Sequence, residues 1–272
     1  MPRSATQLLS RPALALTLAS LATSFITTQA WALDDGVDTV RLVSVGGSCP
    51  NCELSGRKLP DARFIGANLS GATLVGSDLH GASFFGSDFI GADLAKADLH
   101  GSSLFGSEFM NADFTDANMM GVQGHAANLM GANLTRANLQ DSAMIGAEFT
   151  RVNAHDANFT GAQLFGANLT QGHFERASFR NANLVGTTLT GSVFTGADFT
   201  GAELMHASLA GVDLSGAKGL TQDQIDEACS GAGTKLPSGL IAKTCKGDPR
   251  VVILRSTPVH SAGQHYIVEM GQ

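Results

Sequence analysis

Two cysteines separated by two residues, Cys49 and Cys52, have a spacing that could support chemistry. A Cys-x-x-Cys pair occurs in redox sites, in haem attachment sites and as half of zinc sites. Glu53 rather than a histidine follows the pair, which disfavours haem attachment, and the flanking sequence lacks the strand and helix pattern of a thioredoxin-like site. A closed zinc site needs two more ligands, and Cys229 and Cys245 are expected at the far end of the molecule. We therefore interpret the pair as a structural disulfide or as packed thiols.

A second candidate for chemistry is a set of side chains spaced by twenty residues, His80, His100 and Met120. Imidazole and thioether groups bind copper, so this His/Met ladder makes metal binding one alternative function. The opposing interpretation is that the three side chains are solvated, because no carboxylate that would orient the imidazoles is evident from the sequence. On that interpretation the chain binds no metal and no other cofactor.

No group of residues has the pattern of a catalytic site. The serines and threonines recur at a regular five-residue spacing, which is typical of turns rather than of an activated nucleophile. An interior filled by Leu and Phe would also leave no cavity for a small substrate. We therefore expect that the protein is not an enzyme.

A five-residue repeat that runs from residue 52 to residue 219 positions most of these side chains. Counting every fifth residue from Leu54 to Leu214 gives 33 central positions, and Leu, Phe or Met fills 31 of them. The exceptions, Gly124 and Ala154, are expected to leave a local void or a bulge where the chain moves inward. Two residues before the centre, Ala, Ser, Gly, Thr, Val or Cys stands in 32 of 33 units, and two residues after it Gly stands in 20.

A period of five residues fits neither an α-helix nor a continuous strand. A helix would scatter the central residues around its axis, and a strand would move them from one face to the other at each step. The faces stay constant only if the chain turns a corner once per unit, and glycine suits such a corner. Four corners close a coil of about 20 residues, and successive coils stack at the strand spacing of about 4.8 Å. The sequence therefore predicts a four-sided solenoid in which residues 20 positions apart form ladders.

Individual units carry a recognisable motif. The segments 66–70 (GANLS), 91–95 (GADLA) and 196–200 (GADFT) resemble the A-(D/N)-L-x-x motif of the pentapeptide-repeat family. The resemblance implies an all-β fold, a right-handed quadrilateral parallel β-helix with short N- and C-terminal caps. That family includes DNA-mimicking gyrase inhibitors, lumenal proteins of photosynthetic organisms and many members of unknown function, so the resemblance implies a fold more than an activity.

The first 32 residues have the features of a secretory signal peptide. Arg3 and Arg11 give a positively charged start, residues 13–26 form an apolar run too short to span a bilayer, and residues 30–32 (Ala-Trp-Ala) form a small-x-small cleavage site. Cleavage after Ala32 would deliver the protein to the periplasm or outside the cell, with no membrane insertion afterwards. The alternative is that the segment remains as an uncleaved anchor.

The segments that flank the repeat are predicted to cap its two ends. Residues 33–51 form a leader over the first coil, because an open solenoid end exposes unpaired strand edges. Residues 220–272 form a helical cap and tail, with a short helix that begins at the N-cap Thr221. Cys229 and Cys245 are predicted to form a disulfide in this cap. Beyond it, residues 251–254 and 266–270 are short apolar runs.

The residue after each centre points outward, and one ladder of these residues is apolar at seven of its eight positions. It consists of Ile65, Phe85, Phe105, His125, Ile145, Phe165, Val185 and Met205. The adjacent ladder contributes Ile90, Met110 and Met130. Such a stripe is larger than a soluble monomer normally exposes, so it predicts an interface with a second copy or with another exported protein. The alternative is that the tail with its two apolar runs folds back over the stripe.

The residue before each centre also points outward, and here acidic residues and asparagine dominate. Without Arg3 and Arg11, the 17 basic residues become 15 against 24 acidic ones, which argues against direct nucleic-acid binding. The acidic ladders include Asp78 with Asp98, Asp88 with Glu108, and Asp93 with Asp113. By the resemblance they would mimic a phosphate backbone, which makes an inhibitor of a nucleic-acid enzyme the second alternative function. The opposing interpretation is that they hydrogen-bond at turns.

Taken together, these patterns predict an exported, non-enzymatic interaction or scaffold protein. It would present a rigid face of the β-helix to a second copy of itself or to a protein partner.

Overall fold

The polypeptide turns one corner in every five residues of its repeat in the computed structural model, which describes residues 43–242. The corner residue lies two positions after each centre, and φ is positive at all 35 such positions from Gly46 to Gly216. Glycine occupies 21 of them and other residues occupy 14, so the conformation persists where glycine is missing. At most corners the central carbonyl accepts a hydrogen bond from the N–H three residues later, as Leu69 does from Ala72 at 3.0 Å. These are the features of a type II β-turn.

We expect matched substitutions at two consecutive corners of one face to change stability in opposite directions. Ala126 has φ of 54°, while Gly146 has φ of 64° and no other atom within 4 Å of the place where a Cβ would stand. Replacing Ala126 by Gly removes left-handed strain and should raise the free energy of unfolding by about 1 kcal/mol, whereas Gly146→Ala should lower it by about 1 kcal/mol. Urea unfolding of the two variants and the parent measures both changes. Shifts of the same sign would contradict the role assigned to the corner.

Successive coils are joined by backbone hydrogen bonds at a spacing of about 20 residues. Leu69 N–H donates to the carbonyl of Asp88 at 2.7 Å, Gly71 N–H donates to that of Ile90 at 2.9 Å, and Asp88 N–H donates to that of Ala67 at 2.8 Å. The bridges between coils are parallel, and from Ser48–Asn68 to Asp198–Lys218 each joins residue i to residue i+20. With one corner every five residues, a coil of 20 residues has four sides. The prediction of stacked four-sided coils is confirmed.

Regular strands are very short because each side is only a few residues wide before the next corner. The first strand, β1 (Val43–Val45), pairs in parallel with β2 (Arg63–Ile65), and Val43 lies opposite Arg63. The coil therefore already includes Val43–Val45, which the sequence assigned to the leader. One hydrogen-bonded side of the first coil is thereby supplied by residues upstream of the recognisable repeat.

The core consists of the central residues and the small residues two positions before them, and nearly all are buried. Aromatic rings stack on the equivalent ring one coil later. The rings of Phe159 and Phe179 have centroids 4.9 Å apart and an interplanar angle of 2°, and those of Phe174 and Phe194 are 4.9 Å apart at 7°. This arrangement confirms the predicted internal ladders.

The two irregular centres do not open a pocket among the described residues. The thioether of Met144, one coil later, occupies the space where a side chain at Gly124 would stand. Near Ala154, which is fully buried, the ring of Phe174 occupies the space above Gly172. The prediction of a void at Gly124 is therefore wrong, because the flexible Met144 side chain fills the space from the next coil.

The last coil is closed by a short helix and the loop after it. Helix α1 (Gln222–Glu227) starts with a capping box between Thr221 and Gln224, as its sequence predicts, and it buries Ile225. The Gln224 amide also donates to the carbonyl of Ala202 at 2.7 Å. After the helix, Ser208 pairs with Cys229, an offset of 21 residues instead of 20, because the inserted helix lengthens the path.

A side-chain contact ties this closing segment to the coil. The Lys235 ammonium lies 2.9 Å from the Asp213 carboxylate. Hydrogen bonds from the Ser215 hydroxyl and from Lys235 lower the pKa of Asp213 to about 2. At neutral pH the Asp213 carboxylate is therefore ionised and paired with Lys235.

Several predictions from the sequence concern residues outside 43–242. They are the signal peptide (1–32), most of the leader, the two apolar runs of the tail, and Cys245 as the partner of Cys229. Within 43–242 the structure contains no helix with the length and apolar composition that a membrane crossing requires.

Candidate interaction surface

One side of the coil carries the apolar ladder, which we define as Ile65, Phe85, Phe105, His125, Ile145, Phe165, Val185 and Met205. Four of its members are exposed to an extent unusual for large apolar side chains, Phe85 at 51%, Met205 at 45%, Phe165 at 40% and Ile145 at 39%. The other described side chains of the ladder are partly buried by their neighbours. Two further large apolar residues within 43–242, Met120 and Ile241, are exposed elsewhere. Exposed apolar surface is therefore concentrated on this side.

The aromatic members of the ladder are ordered by contact with one another. The rings of Phe85 and Phe105 stack with centroids 5.5 Å apart and an interplanar angle of 4°, and the imidazole of His125 lies 6.4 Å further on at 54°. A partner would therefore meet side chains whose rotamers are already restricted, so little side-chain entropy is lost on binding.

The side that carries the apolar ladder is almost free of charge. The residues before its six central positions from 84 to 184 are uncharged, namely Ser83, Ser103, Gln123, Ala143, Gln163 and Asn183. Its corners over the same coils are all small, namely Gly86, Gly106, Ala126, Gly146, Gly166 and Gly186. Between Arg63 and Glu203, the residues before and after each centre of this side and the corners that follow them include no Asp, Glu, Lys or Arg, and we call it the uncharged face; Asp141 stands at the corner on its other edge. Sorting the residues before each centre by side would have revealed it from the sequence.

On the other three sides, acidic and asparagine side chains are engaged in the turns. The carboxylate of Asp88 accepts the N–H of Ile90 at 2.9 Å, and that of Asp93 accepts the N–H of Ala95 at 3.0 Å. Further along, the Asn128 side chain does the same for Met130 at 3.1 Å. These bonds support the interpretation of the acidic ladders as turn residues rather than as a phosphate mimic. On the uncharged face, within the described residues, only Asn183 performs this role, for Val185 at 3.0 Å.

The adjacent ladder of Ile90, Met110 and Met130 is less available than the apolar ladder. All three side chains are partly buried, and the acidic Asp88 and Glu108 stand two positions before the first two. A guanidinium nitrogen of Arg151 lies 3.4 Å from the Met130 sulfur. Charge therefore interrupts the apolar surface on this side, and the structure does not merge the two ladders into one continuous patch.

The histidines of the His/Met ladder are paired with carboxylates that the sequence interpretation did not identify. Nδ1 of His80 lies 2.5 Å from Asp78, and Nδ1 of His100 lies 2.9 Å from Asp98. The hydrogen bond to Asp78 raises the pKa of His80. The two imidazole rings stack with centroids 5.0 Å apart and an interplanar angle of 9°. Equivalent nitrogens of such a stack are farther apart than the about 4 Å that one ion with bonds of about 2.0–2.1 Å can span.

The two N-terminal cysteines lie together where the coil begins. The structure joins Cys49 to Cys52 in a disulfide with 5.5 Å between their Cα atoms, within the usual range for such a bond. Cys52 also packs partly against the core, in the inward position predicted for it. The geometry agrees with a structural role for the pair.

Comparisons with known proteins agree with this architecture. A family model described as pentapeptide repeats matches in eight copies, over residues 51–84, 82–121, 127–162, 157–196 and 182–218. A comparison with curated protein sequences gave no significant match.

Among solved structures, the chain is similar to HetL, a pentapeptide repeat protein involved in heterocyst differentiation regulation from the cyanobacterium Nostoc. The two are 26% identical, with a TM-score of 0.66 over 71% of this chain and 89% of HetL. A pentapeptide repeat protein from the Arabidopsis thaliana thylakoid lumen is 34% identical over 35% of this chain and 70% of its own, with a TM-score of 0.23. A trypsin-treated form of QnrB1, a plasmid-mediated fluoroquinolone resistance protein, is 20% identical over 73% of this chain and 92% of its own, with a TM-score of 0.37. Of these three structures, HetL is the one with a TM-score above 0.5.

Proposed function

This chain belongs to the pentapeptide-repeat family, and from that premise we propose that it is an exported, non-enzymatic scaffold that binds a second copy of itself through the uncharged face. The observation that carries the proposal is the combination of four exposed large apolar side chains in one ladder with uncharged residues before each centre of the same face from 84 to 184. A contiguous apolar patch in a charge-depleted setting is typical of the centre of a protein interface.

The shape of the face supports self-association in particular. Eight ladder positions at the strand spacing span about 34 Å, and the small corner residues leave the surface between them flat. A flat ladder of similar side chains can pair with its own copy about a two-fold axis, so that both copies use the same residues. The rigid backbone would lose little conformational entropy in forming such a dimer.

Export is a separate part of the proposal. It is supported by the charged start, the short apolar run and the cleavage motif of residues 1–32, and by a Cys49–Cys52 pair that an oxidising compartment would keep bonded. Mass spectrometry of the protein recovered from the periplasmic fraction or the medium tests it, because cleavage after Ala32 removes the mass of residues 1–32.

Light scattering of the purified, untagged protein tests the interface. The test variant carries Phe85→Ser, Phe105→Ser and Phe165→Ser, and a matched control carries Ile90→Ser, Met110→Ser and Met120→Ser on the other sides. We expect the parent and the control to have twice the mass of one chain, and the test variant to have the mass of one chain with an unchanged circular dichroism spectrum.

Three results would contradict self-association through this face. If the test variant remains a dimer, the interface lies elsewhere. If parent and test variant are both monomers and the variant is less stable, the C-terminal tail covers the ladder within one chain. If parent and test variant are both monomers and equally stable, the partner is to be sought in another exported protein.

A further inference from the structure

Two histidines and a glutamate converge on a side of the coil away from the uncharged face. His155 and Glu175 occupy the position after the centre in consecutive coils, and His173 precedes the centre Phe174. Nε2 of His155 lies 3.5 Å from the Glu175 carboxylate, and Nδ1 of His173 lies 3.2 Å from it. One potential ligand atom from each residue lies within 4.8 Å of the other two. This grouping of three metal-binding side chains was missed from the sequence, because His173 belongs to a different ladder from the other two.

The three residues depart from what the repeat otherwise places in the same ladders. The ladder of His155 and Glu175 has threonine in the coils on either side, at Thr115, Thr135 and Thr195. The ladder of His173 has Asp113, Asn133 and Asn153 before it. The interior beneath them is also irregular, with Ala154 as a small centre and Gly172 where Ala is usual. The repeat itself therefore accounts for none of the three side chains.

Two polar atoms in the cluster have no hydrogen-bond partner in the protein. They are Oε2 of Glu175, whose neighbour Nε2 of His155 lies 3.5 Å away, and Nδ1 of His155, the ring nitrogen that does not pair with the carboxylate; both are buried from solvent. The Glu175 side chain is only 19% exposed. A buried carboxylate oxygen without a hydrogen bond is costly, and such atoms in native proteins usually indicate a missing ligand, ion or water.

We propose that His155, His173 and Glu175 form a binding site for a single divalent transition-metal ion of the zinc type. Two imidazole nitrogens and one carboxylate oxygen match the ligand preferences of Zn²⁺, which binds them at about 2.0–2.2 Å. A tetrahedral ion with such bonds separates its ligand atoms by about 3.3 Å. Nε2 of His155 lies 3.5 Å from Oε2 of Glu175 and Nδ1 of His173 lies 3.2 Å from Oε1, so each imidazole is already at about that separation from one oxygen of the carboxylate. Binding would draw the three ligand atoms, which lie within 4.8 Å of one another, closer together. Exposure of the two imidazoles leaves room for water as the fourth ligand.

The rings of His155 and His173 are also stacked, with centroids 6.3 Å apart and an interplanar angle of 20°, so what separates this cluster from the pair of His80 and His100 is the single carboxylate that lies near both imidazoles. That pair has 5.0 Å between ring centroids in a nearly parallel stack, and each Nδ1 is bonded to its own carboxylate. It therefore serves as an internal control, a second stacked pair of histidines in the same protein whose Nδ1 atoms are bonded to two different carboxylates.

Calorimetric titration of the purified, untagged protein with ZnCl₂ tests the site. The variants His155→Thr, His173→Asn and Glu175→Thr each restore a residue that the repeat uses in the same ladder, so they should keep the fold. The control is the double variant His80→Gln and His100→Gln, which introduces the residue found at Gln140 in that ladder. We expect the parent and control to bind one ion per chain with the same Kd, and each site variant to bind at least tenfold more weakly.

The unfolding temperature gives a second readout, because an ion that binds only the folded protein stabilises it. Zinc should raise the midpoint of the parent and of the control but not that of His173→Asn. An unchanged Kd in folded His173→Asn and Glu175→Thr would overturn the proposal, as would the absence of saturable binding by the parent. The outcome is independent of the interface on the uncharged face, since none of the three residues lies there.

Discussion

Phe179→Ala is expected to lower the free energy of unfolding by about 4 kcal/mol, because it removes the aromatic ring with the most ring contacts in the second half of the core. The Phe179 side chain is fully buried. Its ring stacks on Phe159 at 4.9 Å and on Phe199 at 5.3 Å, and it meets Phe174 and Phe194 edge to face at 5.7 and 5.6 Å. These four rings are held by their own coils, so they cannot collapse into the cavity.

The matched control for this change is Phe85→Ala, which removes the same ring from the outside of the coil. Phe85 is 51% exposed and contacts one stacked ring, Phe105. We expect a loss of at most about 1 kcal/mol. Equilibrium urea unfolding followed by circular dichroism compares the two variants with the parent. Equal losses would mean that the core ladders do not carry the stability of the coil.

Gly124→Leu is expected to destabilise the protein by about 3 kcal/mol, although it restores the residue type that the repeat prefers at that position. The thioether of Met144 stands in the space that the new side chain needs. Positions 124 and 144 are both fully buried, so neither the new leucine side chain nor that of Met144 can turn toward solvent. The variant therefore overpacks the core at one coil, and urea unfolding measures the loss.

A double-mutant cycle identifies the cause of that loss. Met144→Ala alone should cost about 3 kcal/mol by opening a cavity. In the double variant with Gly124→Leu, the new leucine occupies the vacated space. Its total loss should therefore fall short of the sum of the single losses by at least about 1 kcal/mol. Additive losses would show that Met144 and Gly124 do not share the space.

The architecture could be predicted from the sequence because it depends on a few positions repeated 33 times. Central and small residues are inward wherever they occur, and no local preference competes with that pattern. The corners were less evident. Arg136 and Arg151 adopt φ of 57° and 59°, which neither residue prefers in isolation. The hydrogen bonds to the coils on either side impose this conformation, and such bonds cannot be seen in a single unit.

The functional surfaces were harder to predict because they depend on combinations of positions. The apolar ladder was visible as a series of residues 20 apart, but the uncharged face also required the preceding residues and the corners. Predicting the proposed metal site would have required combining His173 from one ladder with Glu175 from another, and only the side-chain conformations bring the two together. The filling of the space at Gly124 depended on the rotamer of Met144, which no spacing rule specifies.

The bridges between residue i and residue i+20 give the interior and the exterior of this molecule different tolerances to insertion and deletion. The interior alternates central and small residues every five residues, so the loss of one unit within the coil would keep that alternation and the corners intact. The exterior repeats only every twenty, so the same loss would rotate everything downstream by a quarter turn. The apolar ladder would then continue on a neighbouring side, and the uncharged face would be cut in two. Loss of a whole coil would shorten the face without breaking it. Changes of length in multiples of four units are therefore the ones that preserve a binding surface on this scaffold.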